Sequence, residues 1–287
     1  MSLGRRGYEV ALADESSGGG RAVREAGLPG LASYKRVSDY RFGQIERMPN
    51  VSFFPGSAMD RDSIREFGAD QVLIASGARW RDDGLGRFTH AAVPGIKKHA
   101  RVFTPDQVMQ GDLPEGGPVL VYDDDHYYMG GVIARLLADR GLPVTLVTPG
   151  PEVSCWTKNT MEQHRIEHAL LTKGVRLIAK HTLSRVSEDA AVFSHNVTGQ
   201  HMTVEAAALV LVTVRAPQSQ LYFDLAGANE EHLQSLPFGI FRIGDCLAPS
   251  TIAAAVYDGH RIARELDNSP DPDGVPFKRE RPIIAPE

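Results

Sequence analysis

What this chain is short of narrows it first. Among its 287 residues there are two cysteines, Cys155 and Cys246, far apart and outside any CxxC spacing. That leaves no four-thiolate zinc or iron–sulfur site and no disulfide framework, and both are expected to be packed free thiols in a reducing cytoplasm. No apolar run reaches the roughly 18 residues a membrane-spanning helix needs, and the opening MSLGRRGYEV lacks a signal peptide's apolar core. No block of Lys and Arg is long enough to track a phosphate backbone, and the net charge is −5, so nucleic acid and membrane are not the expected partners. Glycine is missing where a nucleotide-binding chain would put it. The stretch VLVYDDDHYYMGG, Val119 to Gly131, carries three aspartates in the expected cradle for a pyrophosphate.

What is present is a globular pattern, 42% hydrophobic and long enough for a sizeable core. YEVALAD, Tyr8 to Asp14, is strand-like and ends in an acid, with no complete unit before it; it reads as a second strand without a first. In a dinucleotide-binding βαβ unit the strand after the first helix ends in Asp or Glu, which hydrogen-bonds the adenosine ribose. Asp14 fits, with Glu15 as the neighbouring alternative and an ordinary turn acid as the competing reading. RAVREAGLPG and YKRVSDYRFGQIERM follow as helices, and VSFFPG as a short strand. DSIREFGAD reads as a turn before a buried strand, Gln71 to Ala75. Thr104, with Pro105 behind it, opens a short helix. Residues 117–150 have the strand, turn, helix and strand of a second βαβ unit. NTMEQHRIEHALLTKGVRLI is a helix leading into a strand, residues 181–214 read as a β-meander, and GIFRIGDCLAPSTIAAAVYDGHRIARELD is a strand running through Gly244-Asp245 into a long helix. The fold class is therefore α/β, with two Rossmann-like three-layer units, the second inserted in the first.

Taken in order, VALAD…GGG, VLIASGARW, the degenerate βαβ, WTKNTMEQHRIEHALLTKGV, ALVLVTVRAP and GIFRIGDCLAPSTIAAAVYDGHRIARE resemble the C-terminal half of the trimethylamine dehydrogenase and histamine dehydrogenase family, over nearly the whole chain. Relatives of that family include dimethylamine dehydrogenase, N-demethylases and, more distantly, 2,4-dienoyl-CoA reductase. The resemblance implies a full-length protein that begins with a barrel carrying FMN and a 4Fe-4S cluster, followed by a disulfide-reductase-like region. Only that region is matched here, since two cysteines and 287 residues leave no room for the barrel and its cluster. Residues 1–103 plus 217–287 would form an ADP- or FAD-binding-like domain, its first strand and glycine turn expected upstream of Gly7. Residues 104–216 would form a degenerate NAD(P)-binding-like domain. The surviving nucleotide wall would be Asp14, the loop Gly18, Gly19 and Gly20, the strand end Ala75, Ser76 and Gly77, and Gly244 with Asp245. If the ligand is ADP rather than FAD, Asp245 would only cap the last helix.

Simple electrostatics explains the acidic turn. A carboxylate about 4 Å from a pyrophosphate repels it by about 1 kcal/mol even at water's dielectric, and by several times that when partly buried. The turn Asp123, Asp124, Asp125, His126, Tyr127, Tyr128 thus suits a frame that no longer takes NAD(P)H, and Val214 stands where a nucleotide site keeps a glycine. Metal binding is disfavoured because consecutive acids cannot converge on one ion as alternating ligands do; capping of the following helix is favoured. His164 and His168 read as a polar helix face. The resemblance further implies the barrel as a partner, an electron-transferring flavoprotein as an acceptor docking here, and a homo-oligomer at full length. The proline- and charge-rich tail from Asn268 would lie across another domain or subunit. Two other readings stand beside the amine-oxidising one: an NAD(P)H-dependent flavin reductase of the dienoyl-CoA reductase type, which the acidic turn opposes, and a stand-alone non-catalytic nucleotide-binding module.

Overall fold

The computed structural model describes residues 1–99, 101–227 and 236–267; the tail lies outside them. The described chain is mixed α/β with parallel strands, as the alternation of apolar runs and helices implies, and it divides into two compact units.

The larger unit comprises Ala22–Lys35 and Ala78–Ala216. Its centre is a five-stranded parallel sheet in the order Val102–Phe103, Ala208–Val212, Val119–Asp123, Val144–Val147, Arg176–Ile178. The strands Val119–Asp123 and Ala208–Val212 are buried at every position. Their sequences are unbroken apolar runs because each face has its own cover. Val119, Val121, Val210 and Val212 pack with Ile133, Ala134 and Leu137 of the helix Met129–Asp139. Leu120, Tyr122, Leu209 and Leu211 face the other way, onto Leu183, Phe193 and Val204, which belong to an antiparallel sheet ordered His201–Glu205, Ala190–His195, His181–Val186. Each fully buried Val or Leu stabilises by about 1.5–3 kcal/mol, and a slip of one residue would exchange the two faces.

Two expectations shift. The meander ends at Glu205, because ALVLV is buried on both sides and joins the parallel sheet rather than alternating. The segments 22–35 and 78–103 pack with this unit rather than with the first, since Val102–Phe103 adds to its sheet and Ala78–Trp80 pairs with Arg215–Pro217. Thr104 does open the helix Pro105–Gln110, in a reciprocal cap with Gln107.

The smaller unit comprises Met1–Arg21, Arg36–Gly77 and residues from Pro217 onward. It has two parallel strand pairs, Val10–Asp14 with Val51–Pro55 and Gln71–Ile74 with Gly239–Arg242. DSIREF is a helix, Arg61–Phe67, not the expected turn: Asp60 accepts the Ser63 N–H at 2.8 Å and Gly68 ends the helix left-handed. Its core is modest, built on Ile64, Ile74, Leu225, Phe238 and Cys246. The helix Ile252–Glu265 follows, capped by Thr251. Among the described residues no helix is long and apolar enough to cross a membrane.

Candidate functional site

In the smaller unit the candidate residues lie at the carboxyl ends of the parallel strands, the edge where α/β sheets bind ligands. Asp14 ends its strand half-buried, and its Oδ1 accepts from the backbone N–H and the hydroxyl of Ser16 at 2.8 and 2.6 Å. Gly18, Gly19 and Gly20 follow with φ of 89°, 85° and 51°, a run open only to glycine. At Gly18 a Cβ would lie 2.5 Å from the Phe42 ring. Arg21 then reaches across to donate to the Asp245 carboxylate and the Ser250 carbonyl, both at 2.7 Å; the paired side chains are 14% and 11% exposed. Asp245 Oδ1 accepts from Ser250 N–H at 2.9 Å. The last helix is capped by Thr251, so the cap that Asp245 would make if the ligand were ADP is not made; Asp245 is engaged by Arg21 instead. Gly244 gives its N–H to Asp258 at 2.6 Å. The Ser76 hydroxyl donates to the Gln218 carbonyl and lies 3.3 Å from Cys246 Sγ, while Ala75 is exposed and the Gly77 carbonyl accepts from Gln218 N–H. Thus the loop after Gly20, the strand end at Ser76 and the Gly244-Asp245 turn are tied to one another, whereas the Asp14 side chain is hydrogen-bonded within its own loop.

The acidic turn of the larger unit is closed. Asp123 and Asp124 are 0% exposed and His126 3%. Asp123 Oδ1 accepts the N–H groups of Asp125 and His126 at 3.2 and 3.1 Å, and its Oδ2 is buried without a partner. Burial above all, then the charge of Asp125, pushes this carboxyl up to about 7. The side chain presses on the first turn of the helix Met129–Asp139, where a Cβ on Gly130 would meet Asp123 Cγ at 2.4 Å. No acid caps that helix: Tyr128 stands at the N-cap without a side-chain bond. The expected capping role therefore becomes one of filling, with Asp123 occupying the space beside the helix start and using the turn's own N–H donors.

Asp124 holds a neighbouring segment. Its carboxylate accepts from Phe88 N–H at 3.1 and 3.2 Å and from Thr89 N–H at 3.4 Å, and a Cβ on Gly86 would fall 2.0 Å from its Oδ2. His126 Nε2 lies 3.1 Å away, an ion-pair distance without hydrogen-bond alignment. His126 adopts φ 65°. Its ring stands between Phe88 and Trp156, with centroids at 5.6 and 6.0 Å, and Arg87 lies over Trp156 and 3.6 Å from Asp125. Tyr128 donates to buried Glu25 at 2.5 Å. Among the described residues no group of three or more His, Cys, Asp or Glu could hold a metal ion. His164 and His168 are exposed on the helix Gln163–Thr172. Cys246 is buried and Cys155 partly so, both free.

Three participants escape a reading of the sequence. Arg21 and Asp258 look like ordinary helix charges until the fold brings Arg21 to Asp245 and Asp258 to Gly244. The strap Leu85 to Thr89 has only Gly86 and the preceding Gly84 as a signal.

Residues 103–209 match the family described as the OYE-like second alpha/beta domain. The chain is 30% identical to dimethylamine dehydrogenase of Hyphomicrobium sp. (strain x), across 97% of this chain and 41% of that protein. Histamine dehydrogenase from Rhizobium sp. 4-9 superposes with a TM-score of 0.92 at 38% identity, across 99% of this chain and 44% of that one. The 6-hydroxypseudooxynicotine amine oxidase of Pseudomonas geniculata N1 gives 0.86 at 39% identity, covering 91% and 39%. The relatives are amine-oxidising oxidoreductases, and the chain spans about two fifths of their length.

Proposed function

We propose that this chain is the C-terminal, disulfide-reductase-like part of an amine-oxidising flavoprotein of the trimethylamine, dimethylamine and histamine dehydrogenase kind. In this reading it has two Rossmann-like units, the smaller binding an adenine nucleotide and the larger a retired NAD(P) frame with a structural or electron-acceptor docking role. FMN, the 4Fe-4S cluster and the amine site belong to a barrel outside the chain, and an electron-transferring flavoprotein is the acceptor class. The observation that carries the reading is the self-filled acidic turn: Asp123 takes up the turn's N–H donors and Asp124 binds the strap, so electrons enter from an amine and not from NAD(P)H. The test is calorimetric titration with NADH and NADPH in the presence of saturating ADP, which keeps the adenine-nucleotide site of the smaller unit occupied. No binding tighter than the millimolar range, about −4 kcal/mol, is expected; micromolar affinity for either would replace this reading with the reductase one.

For the smaller unit, ADP is favoured over FAD. In a flavin site the Asp245 carboxylate would face the ribityl or pyrophosphate groups, yet Arg21 and Ser250 already occupy both of its oxygens, and Gly244 N–H is spent on Asp258. Asp14 remains as ribose acceptor beside the Gly18 to Gly20 loop, with Ala75 to Gly77 as a wall. A chain that retains flavin through purification, with a near-stoichiometric visible band, would reverse that choice.

A further inference from the structure

The last helix of the smaller unit, Ile252–Glu265, has a face that the nucleotide reading does not use. Tyr257, His260, Arg261 and Arg264 stand at i, i+3, i+4 and i+7, on one side of it, and line a cavity of about 230 Å³. Cations toward the end of a helix are favoured by its dipole alone. Here two further arginines come from other elements. The Ser2 hydroxyl lies 2.9 Å from His260 Nδ1 and so ties the helix Ser2–Arg5 to the last one. Arg5 closes that short helix and donates to Gln44 Oε1 at 2.8 Å; Arg41, one turn before Gln44 on the helix Lys35–Ile45, donates to the Val37 carbonyl at 2.7 Å. Both acceptors are neutral. Arg6 and Arg261, by contrast, have acids: Asp267 at 2.6 Å for the first, Asp258 and Glu265 at 2.7 and 2.9 Å for the second. Burial first, then the positive charges of Arg41 and Arg264, hold the His260 imidazolium below its ordinary range. Cations from three elements thus gather around His260, with no carboxylate for Arg5 or Arg41 among the described residues.

We propose that this cavity binds a small multivalent oxyanion of the phosphate class, held by the His260 ring within the field of Arg5 and Arg41. A dianion supplies the counter-charge that the Gln44 and Val37 oxygens do not, and guanidinium forks suit its oxygens. With the Ser2 hydroxyl donating to Nδ1, the neutral ring carries its proton on Nε2 and offers that N–H to the anion; with the ring charged, both nitrogens donate. The bound anion favours the charged ring and so offsets the cations that otherwise oppose it. Arg261 contributes a wall more than a charge, because Asp258 and Glu265 neutralise it. A cavity of this volume lies below the roughly 300–1,000 Å³ of sites for drug-sized ligands, which suits a free ion and not a nucleotide. The strand-end residues assigned to the adenine nucleotide are not among those that line it, so this site and that reading can fail separately.

The test is a nitrogen-15 spectrum of the histidine rings in the intact chain, titrated with inorganic phosphate near neutral pH and, separately, with chloride at equal ionic strength. The His260 resonances are expected to shift saturably with phosphate, half-way below about 1 mM, and the ring's titration midpoint to rise by about half a unit or more once phosphate is bound. Replacing both outer cations, Arg5→Gln with Arg41→Gln, should raise the half-saturating concentration at least about tenfold, as removal of two nearby positive charges would. Should the double variant not fold, the native titration against chloride decides by itself. Phosphate bound at the strand-end loops would leave the His260 ring unmoved. A His260 ring that responds only to ionic strength, or a folded double variant that binds phosphate as tightly as the native chain, would overturn the site.

Discussion

The two strand-end turns, Asp14 to Arg21 in the smaller unit and Asp123 to Tyr128 in the larger, begin alike and finish differently. Each follows a parallel strand that ends in aspartate. In the first, the aspartate is half-buried, and Glu15, Ser16 and Ser17 lead into three glycines with positive φ. In the second, the aspartate is fully buried, and histidine and tyrosines follow where small residues would admit a phosphate. The lesson concerns where the anion comes from. Both turns fold their own aspartate onto a backbone donor, Asp14 onto the Ser16 N–H and Asp123 onto those of Asp125 and His126, but only the second buries that aspartate completely, so only there is the place of an outside anion taken up by the chain itself.

The sharpest way to break the comparison is pH. Asp123 is raised to about 7 by burial, then by Asp125, while an unfolded aspartate titrates near 3.9. A carboxyl raised in the folded state contributes stability that is complete below about pH 3.9 and is lost as pH rises through about 7, because ionisation then favours the unfolded chain. The full loss is about 4 kcal/mol at most, taking 1.36 kcal/mol for each pKa unit. Both tryptophans, Trp80 and Trp156, lie in the larger unit, so urea unfolding followed by indole fluorescence reads that unit alone. Measured against Asp123→Asn, the native chain should lose stability between about pH 4 and about pH 7.5. A difference that does not change with pH would mean that Asp123 is ionised throughout.

How far the sequence could have disclosed this contrast depends on the kind of information involved. The acidic turn was visible because strand periodicity places VLVYD in a buried strand and the next six residues at its end. The consequence drawn from it, repulsion of a pyrophosphate, needed nothing more than charge. Burial of Asp123 and Asp124 was not visible, since it depends on Gly86 and Gly130, far apart in sequence, leaving space for the two carboxylates. The strand Ala208–Val212 was misplaced in a meander because an apolar run buried on both faces has no period to reveal its sheet. The helix Arg61–Phe67 was missed for the opposite reason, having a good cap at Asp60 but only Ile64 buried. At Asp14 the strand-end acid was legible, but the pairing of Arg21 with Asp245 joins residues 224 apart in the chain, which no local pattern encodes.

Glycine substitutions sharpen the same contrast at a smaller scale. Gly130→Ala would set a Cβ 2.4 Å from Asp123 Cγ, and Gly86→Ala one 2.0 Å from Asp124 Oδ2, each expected to cost about 2–3 kcal/mol by overpacking a buried contact. Gly20→Ala meets nothing within 4 Å and is opposed only by its φ of 51°, at about 1–2 kcal/mol. Unfolding midpoints order the three, read by indole fluorescence for the larger unit and by far-ultraviolet dichroism for Gly20. If Gly20→Ala proved as costly as the other two, the first turn would be filled too and the comparison would collapse.

Within the smaller unit, Arg21→Ala leaves the Asp245 carboxylate, 11% exposed, without its guanidinium. A charged hydrogen bond is worth about 1.5–3 kcal/mol, so the expected loss is about 2 kcal/mol. Because Arg21 also holds the Ser250 carbonyl, faster exchange of the Ser250 amide would localise the effect, and Arg21→Lys should restore only part of it, lacking the planar fork. Unchanged protection at Ser250 would show that the loops are held by something else.

The smallest effect tests the open turn directly. Asp14→Ala removes a carboxylate that ends its strand where a ribose acceptor belongs and whose Oδ1 is shared with Ser16. If Asp14 anchors an adenosine ribose, the variant loses one charged hydrogen bond to a hydroxyl, about 1.5 kcal/mol, and ADP affinity should fall about tenfold by calorimetry. Adenosine monophosphate should lose the same factor, since the ribose contact does not depend on the second phosphate. The larger unit supplies the internal control. With ADP saturating the smaller unit, neither Asp14→Ala nor the native chain should bind NADH, because Asp123 and Asp124 fill the other turn whether or not the first is altered. Equal ADP affinity in native chain and variant would remove Asp14 from the nucleotide site and leave the carboxylate as the cap of its own loop.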